Sequence, residues 1–533
     1  MSRTKLIWPE QCLETHFAGS RQLRCFPDRP RSLHALLANA VARNPQGMAL
    51  VCEDTRLSYQ SLDHQVGCLA AGWRALGVKA GDRIALLLSN RVEFVLSLLA
   101  ATRLGAITVP LSIREQTPGL QYMLEHCGAA MLVHDAALHG VLPHAQSLPG
   151  LKWRVSFEGC ADALDFHQLL ADTPTTSAAP VEEEDTVVIL YTSGTTGRPK
   201  GAMLSHLGVV HSCMHFQIGM ALGPDDCSIA AVPLSHVTGL VALVTTMLYA
   251  AAKLVILPEF KAPVFLALAV RERMTHSLLV PAMYNLCLLQ DSFAEFDLSG
   301  WRVGAYGGAP MPVASIEALA ANLPQLELMN CYGATETTSP ATMMPPGETA
   351  RHNDTVGLPL PCAEMKVVDD DGRELPAGEM GEIWIKGPMV VAGYWHNPAA
   401  TAQEFDAGYW KSGDMGSIDA AGYVRILDRK KDMLNRGGYK IYCIEVENTL
   451  YQHPAVAECA IVAKPCPVLG ERVHAFISRR QAVDEAELAA FCSSRLSREK
   501  VPESFTLRDT PLPRNANGKL MKRLMREELL ASL

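Results

Sequence analysis

Between Tyr191 and Gly201 the chain reads Tyr-Thr-Ser-Gly-Thr-Thr-Gly-Arg-Pro-Lys-Gly. Gly194, Gly197 and Gly201 permit positive φ and a close approach of backbone to a ligand. The hydroxyls of Thr192, Ser193, Thr195 and Thr196, with the backbone N–H groups, can surround an anion. Lys200 adds a compact cation. The apolar run 187–190 comes directly before, so a buried strand ends where this cradle begins. The fitting chemistry is the binding of a polyphosphate. The loop is not a Walker A loop, because counting from Gly194 the second glycine position holds Pro199. It is not G-x-G-x-x-G either. A flexible polar surface loop is the bland alternative, and the preceding strand and the closing Lys-Gly argue against it.

A second concentration of charge lies at 425–440, where Arg425, Arg429, Lys430, Lys431, Arg436 and Lys440 stand against Asp428 and Asp432. A local positive excess on a chain of net charge −9 suits the phosphates of a nucleotide or cofactor, although any one such residue can be an ordinary solvated charge. The chain has no G-x-S-x-G elbow and no H-E-x-x-H, so nothing points to a serine hydrolase or a zinc protease. Its 15 cysteines include no C-x-x-C pair, which excludes a zinc ribbon or a thioredoxin-type site. Free thiols in a reducing cytoplasm are the simplest reading. The acidic balance disfavours nucleic acid and anionic membranes as partners. No apolar stretch follows the charged N-terminus, so no secretory signal is expected.

These residues need a scaffold. Length 533 corresponds to about three and a half domain-sized units, and 48% hydrophobic with 19% charged residues is a folded, globular composition. Residues 59–76 carry Leu62, Val66, Leu69, Ala70, Trp73 and Leu76 near period 3.6, an amphipathic helix. Strands at 84–88 and 107–111 flank a helix at 92–104, and such alternation predicts a parallel, doubly wound sheet. Residues 171–185 read as a surface linker. Residues 227–252 lack Asp, Glu, Lys and Arg over a length that could span a bilayer. Pro233, Ser235, His236, Thr238 and Gly239 interrupt them, so the expectation is a buried strand (228–232), a turn and a core helix (239–251). Period-two patterns at 364–368 and 382–386 predict antiparallel β structure. Beyond 444, short strands (460–463, 473–478) alternate with helices (444–451, 485–496), a separate small α+β unit.

The loop at 191–201 resembles the signature of the AMP-forming adenylating superfamily, which includes acyl-CoA synthetases, carrier-loading adenylation domains and beetle luciferases. The family's other motifs follow in order, and the resemblance covers residues 30 to 526. Val232-Pro-Leu-Ser-His-Val-Thr-Gly239 resembles the motif lining the acyl pocket, with His236 at the gating position. By residue type alone His236 reads as a core histidine. The segment has no acid to pair with an α-amine, which disfavours an amino-acid substrate. Tyr306-Gly-Gly-Ala-Pro310 resembles the segment packed on adenine, implicating Gly308, Ala309 and Pro310. In Asn330-Cys-Tyr-Gly-Ala-Thr-Glu336 the resemblance assigns Tyr332 to adenine stacking, Thr335 to the α-phosphate and Glu336 to Mg²⁺. Tyr409-Trp-Lys-Ser-Gly-Asp414 matches the ribose motif, with Asp414 accepting from the hydroxyls and Arg429 a second contact. Lys431 sits at the family's hinge position. Gly437, Gly438, Tyr439 and Lys440 resemble the hairpin forming the pantetheine tunnel, and Pro513-Arg-Asn-Ala-Asn-Gly-Lys519 carries the catalytic lysine. Cys331 and Cys443 stand where the family commonly has glycine and proline.

The resemblance implies an α/β protein. A large N-terminal adenylating domain (1–428) combines doubly wound αβ subdomains and a distorted β-barrel. A hinge (429–432) follows, then a small mobile α+β C-terminal domain (433–533). It implies two steps. A carboxylate attacks the α-phosphorus of ATP, releasing pyrophosphate, with the 192–200 loop, Thr335, Glu336, His236 and Lys519 around the reacting groups. A thiol then attacks the acyl-adenylate after the small domain rotates about Lys431. The expected thiol is coenzyme A, since no carrier or condensation domain is appended. The runner-up is a stand-alone enzyme loading a carrier-protein phosphopantetheine. A luciferase-like oxygenase and a nucleotide-binding paralogue that has lost its chemistry rank below. The pocket candidates His236, Val237, Gly239, Met283, Tyr306 and Thr338 offer no cation for a second carboxylate, which favours a monocarboxylic fatty, alicyclic or aryl acid. Mg²⁺, ATP and CoA are the expected small molecules. The expected setting is cytoplasmic without a membrane span, and a homodimer is left open.

Overall fold

The structure, a computed structural model, describes residue 8 and residues 13–19, 21–160, 162–192, 198–437, 439–514 and 520–531. The chain forms two compact units. One comprises Met1–Met365, Ile385–Lys411 and Ala421–Tyr423, the other Lys366–Trp384, Ser412–Ala420 and Val424–Leu533.

The first unit is doubly wound. Among the described residues one sheet has seven strands, in the order Lys200–Ser205, Thr186–Thr192, Ile107–Pro110, Arg83–Leu87, Ala129–Asp135, Trp153–Phe157 and Leu164–Asp165. Its pairs are parallel except at the edge, where Lys200–Ser205 returns antiparallel. A second sheet, of nine strands among the described residues, has a parallel centre. There Glu327–Tyr332, Val303–Tyr306, His276–Leu279, Cys227–Ala230, Lys253–Ile256 and Met48–Cys52 lie side by side. Near-continuous apolar runs are what such doubly covered strands require.

The helix Tyr59–Leu76 shows how sequence fixes these elements. Ser58 Oγ accepts from the Ser61 N–H at 3.1 Å, and Gly77 ends the helix with φ +93°. Leu62, Val66, Leu69, Ala70 and Trp73 are all buried, as their period demands. Two interior glycines weaken a helix by roughly 0.5–1 kcal/mol each, and here both have a packing reason. A Cβ on Gly72 would stand 1.8 Å from the Leu169 carbonyl oxygen, and one on Gly67 2.6 Å from Pro174 Cβ. The stretch expected as a surface linker is therefore docked on this helix. Ala171 N–H donates to the Cys68 carbonyl at 3.2 Å and Thr175 N–H to that of Gly67 at 3.1 Å. Farther along, Glu183 pairs with the buried Arg29 at 2.8 Å.

The uncharged segment 227–252 is core, as expected, but its winding differs. After the strand Cys227–Ala230, Thr238–Thr245 forms a π-helix and Thr246–Ala250 an α-helix. The Thr246 hydroxyl donates to the Val241 carbonyl, five residues back, at 2.8 Å. No helix among the described residues is long and apolar enough to cross a membrane.

In the second unit, Val424–Arg429 pairs antiparallel with the end of Tyr409–Ile418, setting Asp414 opposite Arg429. Farther on, Tyr439–Ile441, Leu434–Arg436, Gly470–Arg479 and Val456–Cys466 form an antiparallel sheet, with Ser504–Arg508 added parallel. Helices Cys443–Tyr451 and Glu485–Ser493 enclose with it a core that includes Leu434, Ile441, Val446, Ile461, Ile477 and Leu488. This is the small α+β unit read from the alternation beyond residue 444.

The buried histidines of the first unit include His206, His211 and His215 on the helix His206–Met220, and His276 in its strand. Burial drives their pKa values down to about 4, 3, 4 and 4 respectively. The unfolded chain therefore takes up these protons first, at ordinary histidine pKa. Their contribution is complete above about pH 6.5 and is lost as pH falls towards 4, by at most about 1.4 kcal/mol per pH unit for each histidine. The thermal midpoint should fall steadily between pH 6.5 and 4.5 in scanning calorimetry. A flat midpoint across that window would contradict the burial of neutral histidines.

Candidate active site

The segments singled out by sequence in the first unit gather at the carboxyl ends of parallel strands, where open α/β sheets bind ligands. Thr192 ends Thr186–Thr192, and Lys200 faces it in register on the returning strand. Lys200 is buried, and its Nζ bonds Glu404 Oε1 and lies 4.3 Å from the Tyr394 ring centroid. Tyr394 OH is 2.5 Å from Glu404 Oε2 and 2.9 Å from Glu336 Oε1. Thr192 Oγ1 reaches the same Glu336 oxygen at 3.4 Å. Burial first, then the charge of Glu336 and the bond to Glu404, raises the Tyr394 pKa and keeps the phenol protonated. The structure thus brings Thr192, Lys200 and Glu336, which the sequence singles out, together with Tyr394 and Glu404, which it does not.

The placement of Tyr394 follows from backbone pairing. Trp395 N–H donates to the Gly201 carbonyl at 2.7 Å, and Ala202 pairs with Tyr394 in an antiparallel bridge. Thr401 Oγ1 accepts from the Tyr394 N–H at 3.0 Å. Thr401 lies in the short helix Pro398–Glu404, capped by Asn397, and Glu404 is that helix's last residue.

The neighbouring strand ends carry the other candidates. Tyr332 ends Glu327–Tyr332, and a 3₁₀ turn over Thr335–Thr337 follows. Glu336 is 8% exposed, and its carbonyl accepts from the Val391 N–H at 2.9 Å. A Cβ on Gly307 would lie 2.4 Å from the Cys331 carbonyl oxygen, so glycine there lets these two strand ends approach. Gly308, at φ +78°, and then Ala309 and Pro310 are exposed beyond it. Cys331 is a buried wall residue whose thiol pKa is raised by burial, so it is no nucleophile.

The acyl-pocket candidates divide by burial. His236 and Val237 are half-buried in a tight turn, and a Cβ on Gly239 would lie 2.2 Å from the Pro233 carbonyl oxygen. Asn90 clamps this turn. Its amide donates to the carbonyls of Val232 at 3.0 Å and Leu257 at 3.1 Å, and its oxygen accepts from the Leu234 N–H at 2.9 Å. Thr338 is buried at φ +50°, and its hydroxyl lies 3.2 Å from where a Gly208 Cβ would stand. Met283 is half-buried between two apolar clusters, whereas Tyr306 is 1% exposed inside one of them.

In the second unit, Asp414 is buried and accepts from Arg429 Nε at 2.7 Å. Ser412 Oγ accepts from the Asp414 N–H at 3.0 Å, and Gly413 takes φ +68° to make that turn. Lys431 lies in a turn in which the N–H groups of Asp432 and Met433 donate to the Arg429 carbonyl at 2.9 and 3.0 Å. Gly437 adopts φ +60°, and Tyr439 is 64% exposed beside Lys440 on its strand. The expected basic patch is smaller than its sequence suggests. Lys430 pairs with Asp370 at 3.0 Å and Glu382 at 3.3 Å, and Arg436 with Glu503 at 2.6 Å. Ser193, Gly194, Thr195, Thr196, Gly197, Gly438 and Lys519 lie outside the described residues.

Comparison with known proteins identifies the family. The family model described as AMP-binding enzyme matches residues 37–395, and that of the AMP-binding enzyme C-terminal domain matches 445–519. The chain belongs to the AMP-binding enzyme family. It is 33% identical over 482 residues to a feruloyl-CoA synthase of Amycolatopsis sp, covering 90% of this chain and 95% of that protein. It is 32% identical over 486 residues to a long-chain-fatty-acid–CoA ligase of Mycobacterium tuberculosis, covering 90% and 94%. Among solved structures it resembles the o-succinylbenzoate coenzyme A synthetase of Bacillus subtilis in complex with ATP and magnesium ion. The TM-score is 0.83 at 28% identity, over 93% of this chain and 99% of that one.

Proposed function

We propose that this enzyme, an AMP-forming acid–CoA ligase, activates a monocarboxylic acid with the residues gathered above. The carrying observation is the connected set Thr192, Lys200, Glu336 and Tyr394 at the strand ends of a family-matched domain. Lys200 and the 192–197 loop take the β- and γ-phosphates, and Thr335 takes the α-phosphate. Thr192 and Glu336 offer hard oxygen donors that fit Mg²⁺, which when bound would neutralise the departing pyrophosphate. Asp414 and Arg429 hold the ribose. Gly308, Ala309, Pro310 and Tyr332 flank the adenine, and His236, Val237, Gly239, Met283, Tyr306 and Thr338 bound the acyl group. Lys519 stabilises the charge built up as carboxylate meets phosphate. Catalysis is then positioning and electrostatics, without a side-chain nucleophile. The relatives named for feruloyl, fatty-acid and 2-succinylbenzoate substrates support a carboxylic acid, and the monocarboxylic choice rests on the pocket candidates, none of which is a lysine or arginine. A cytoplasmic setting fits the fourteen described cysteines, all free thiols.

The test is pyrophosphate release with Mg-ATP over a panel of fatty, alicyclic and aryl acids, with and without CoA. Acid-dependent release that rises with CoA and yields an acyl-CoA supports the reading. Release indifferent to CoA points to a carrier-protein acceptor, and no release with any acid contradicts it.

Lys431 is the hinge of the proposal, with residues 433–533 the moving part and Gly437, Gly438, Tyr439 and Lys440 receiving the CoA arm in the second step. Proline at the third position of the Arg429–Asp432 turn is disfavoured, since it pushes Lys430 out of the helical region. Lys431→Pro should therefore slow thioester formation far more than adenylation in single-turnover assays of each step. An unchanged thioester rate would remove the hinge from this position.

A further inference from the structure

Lys200 has a partner that the nucleotide-binding reading does not use. Its side chain is 10% exposed, and an ammonium so placed is costly unless it is paired. The pairing carboxylate, Glu404, is 26% exposed. The ion pair is thus asymmetric: the acid can turn to water at little cost, and the base cannot. Glu404 also ends the helix Pro398–Glu404, where the backbone dipole disfavours a negative charge. What holds it inward is Lys200 on one oxygen and Tyr394 on the other.

Tyr394 extends the arrangement to Glu336. A phenol has one proton to donate, and two carboxylates compete for it, Glu404 at 2.5 Å and Glu336 at 2.9 Å. While Glu404 is in place, two carboxylates converge on one phenol beside the residues read as phosphate ligands. Any polyphosphate bound by Lys200 meets that charge.

We propose that Glu404 is the resident counter-ion of Lys200, displaced by the triphosphate of ATP, and that it sets the enzyme's affinity for polyphosphates. This rests on the reading of Lys200 as a phosphate ligand. As the β- and γ-phosphates engage Lys200, Glu404 turns outward and the Tyr394 hydroxyl, still protonated, donates its hydrogen bond to Glu336 alone. When pyrophosphate leaves, Glu404 returns and re-pairs with Lys200. The exchange lowers affinity for ATP and for pyrophosphate alike, and so speeds release of the product. AMP lacks the two outer phosphates and does not call for the exchange. Glu404 is in this sense a positioning residue, acting through Lys200.

The experiment measures binding of ATP, pyrophosphate and AMP by titration calorimetry in the full-length enzyme with Mg²⁺ present. Glu404→Gln keeps the shape and the bond to Tyr394 but removes the charge. It should bind ATP and pyrophosphate about five- to twentyfold more tightly and AMP unchanged. Its KM for ATP should fall without a gain in kcat. Glu404→Asp, which restores the charge, should return ATP affinity towards that of the unaltered enzyme. Unchanged or weaker ATP binding in Glu404→Gln overturns the proposal, and so does an equal gain for AMP. Lys200→Ala separates the two layers. If it leaves ATP binding intact, the reading of Lys200 fails. If it weakens ATP binding while Glu404→Gln tightens nothing, only the counter-ion proposal fails. A thermal midpoint for each variant shows that the affinities refer to folded protein.

Discussion

Replacing Lys519 with alanine should lower the rate of acyl-adenylate formation by about 10²–10³ and spare thioester formation from pre-made acyl-AMP. The reasoning is electrostatic. A carboxylate and a triphosphate repel until something neutralises the charge that accumulates between them, and a lysine on a separate segment can do so only in the first step. The described flanks of residues 515–519 are well anchored. Arg514 and Leu520 pair in an antiparallel bridge, Arg514 reaches Glu458 at 2.6 Å, and the Leu512 N–H donates to the same carboxylate at 2.9 Å. The next lysine, Lys522, cannot stand in, because it is held by Glu447 at 2.8 Å. Loss of Lys519 should therefore have no intramolecular rescue. ATP–pyrophosphate exchange reads the first step and single-turnover thiolysis of acyl-AMP the second. An equal loss in both would take the assigned role away from Lys519.

Much of this was legible because the signals were local. The stripe from Leu62 to Trp73, with Ser58 before it and Gly77 after it, specifies a helix without tertiary context. The Tyr-Gly-Ala-Thr-Glu and Ser-Gly-Asp segments hold their glycines and candidate side chains in one short run, so sequence places Glu336 and Asp414 together with their backbones. What escaped depends on contacts distant in the chain. Glu404 reaches Lys200 across 204 residues, and nothing in Ala-Gln-Glu-Phe marks that glutamate as different from a solvated one. Asn90 clamps a turn 142 residues away from it in sequence, and its neighbours Ser89 and Arg91 suggest only a loop. The π winding of Thr238–Thr245 leaves the apolar composition of a core helix unchanged, so periodicity cannot distinguish the two. The basic patch was overestimated for the same reason. Its count of charges was right, but Asp370, Glu382 and Glu503 approach it from outside the run.

Asp414→Ala should act on the other kinetic constant. Asp414 is 4% exposed and tied to Arg429 Nε at 2.7 Å, with its backbone fixed by Ser412. A carboxylate held this way can accept from ribose hydroxyls, and bonds to a charged acceptor contribute about 1.5–3 kcal/mol each. Loss of one such bond should raise the KM for ATP roughly 10–100-fold, and loss of two more than that. Ribose is held equally in ground and transition states, so kcat at saturating ATP should fall much less. The same factor should appear in the affinities for ATP and AMP, which share the ribose, and not in that for pyrophosphate, which lacks it. That pattern is the converse of the one expected for Glu404. Asp414→Asn keeps the volume beside Arg429 and separates lost recognition from lost packing. If kcat collapsed while KM held, Asp414 would belong to the reacting groups and not to nucleoside recognition.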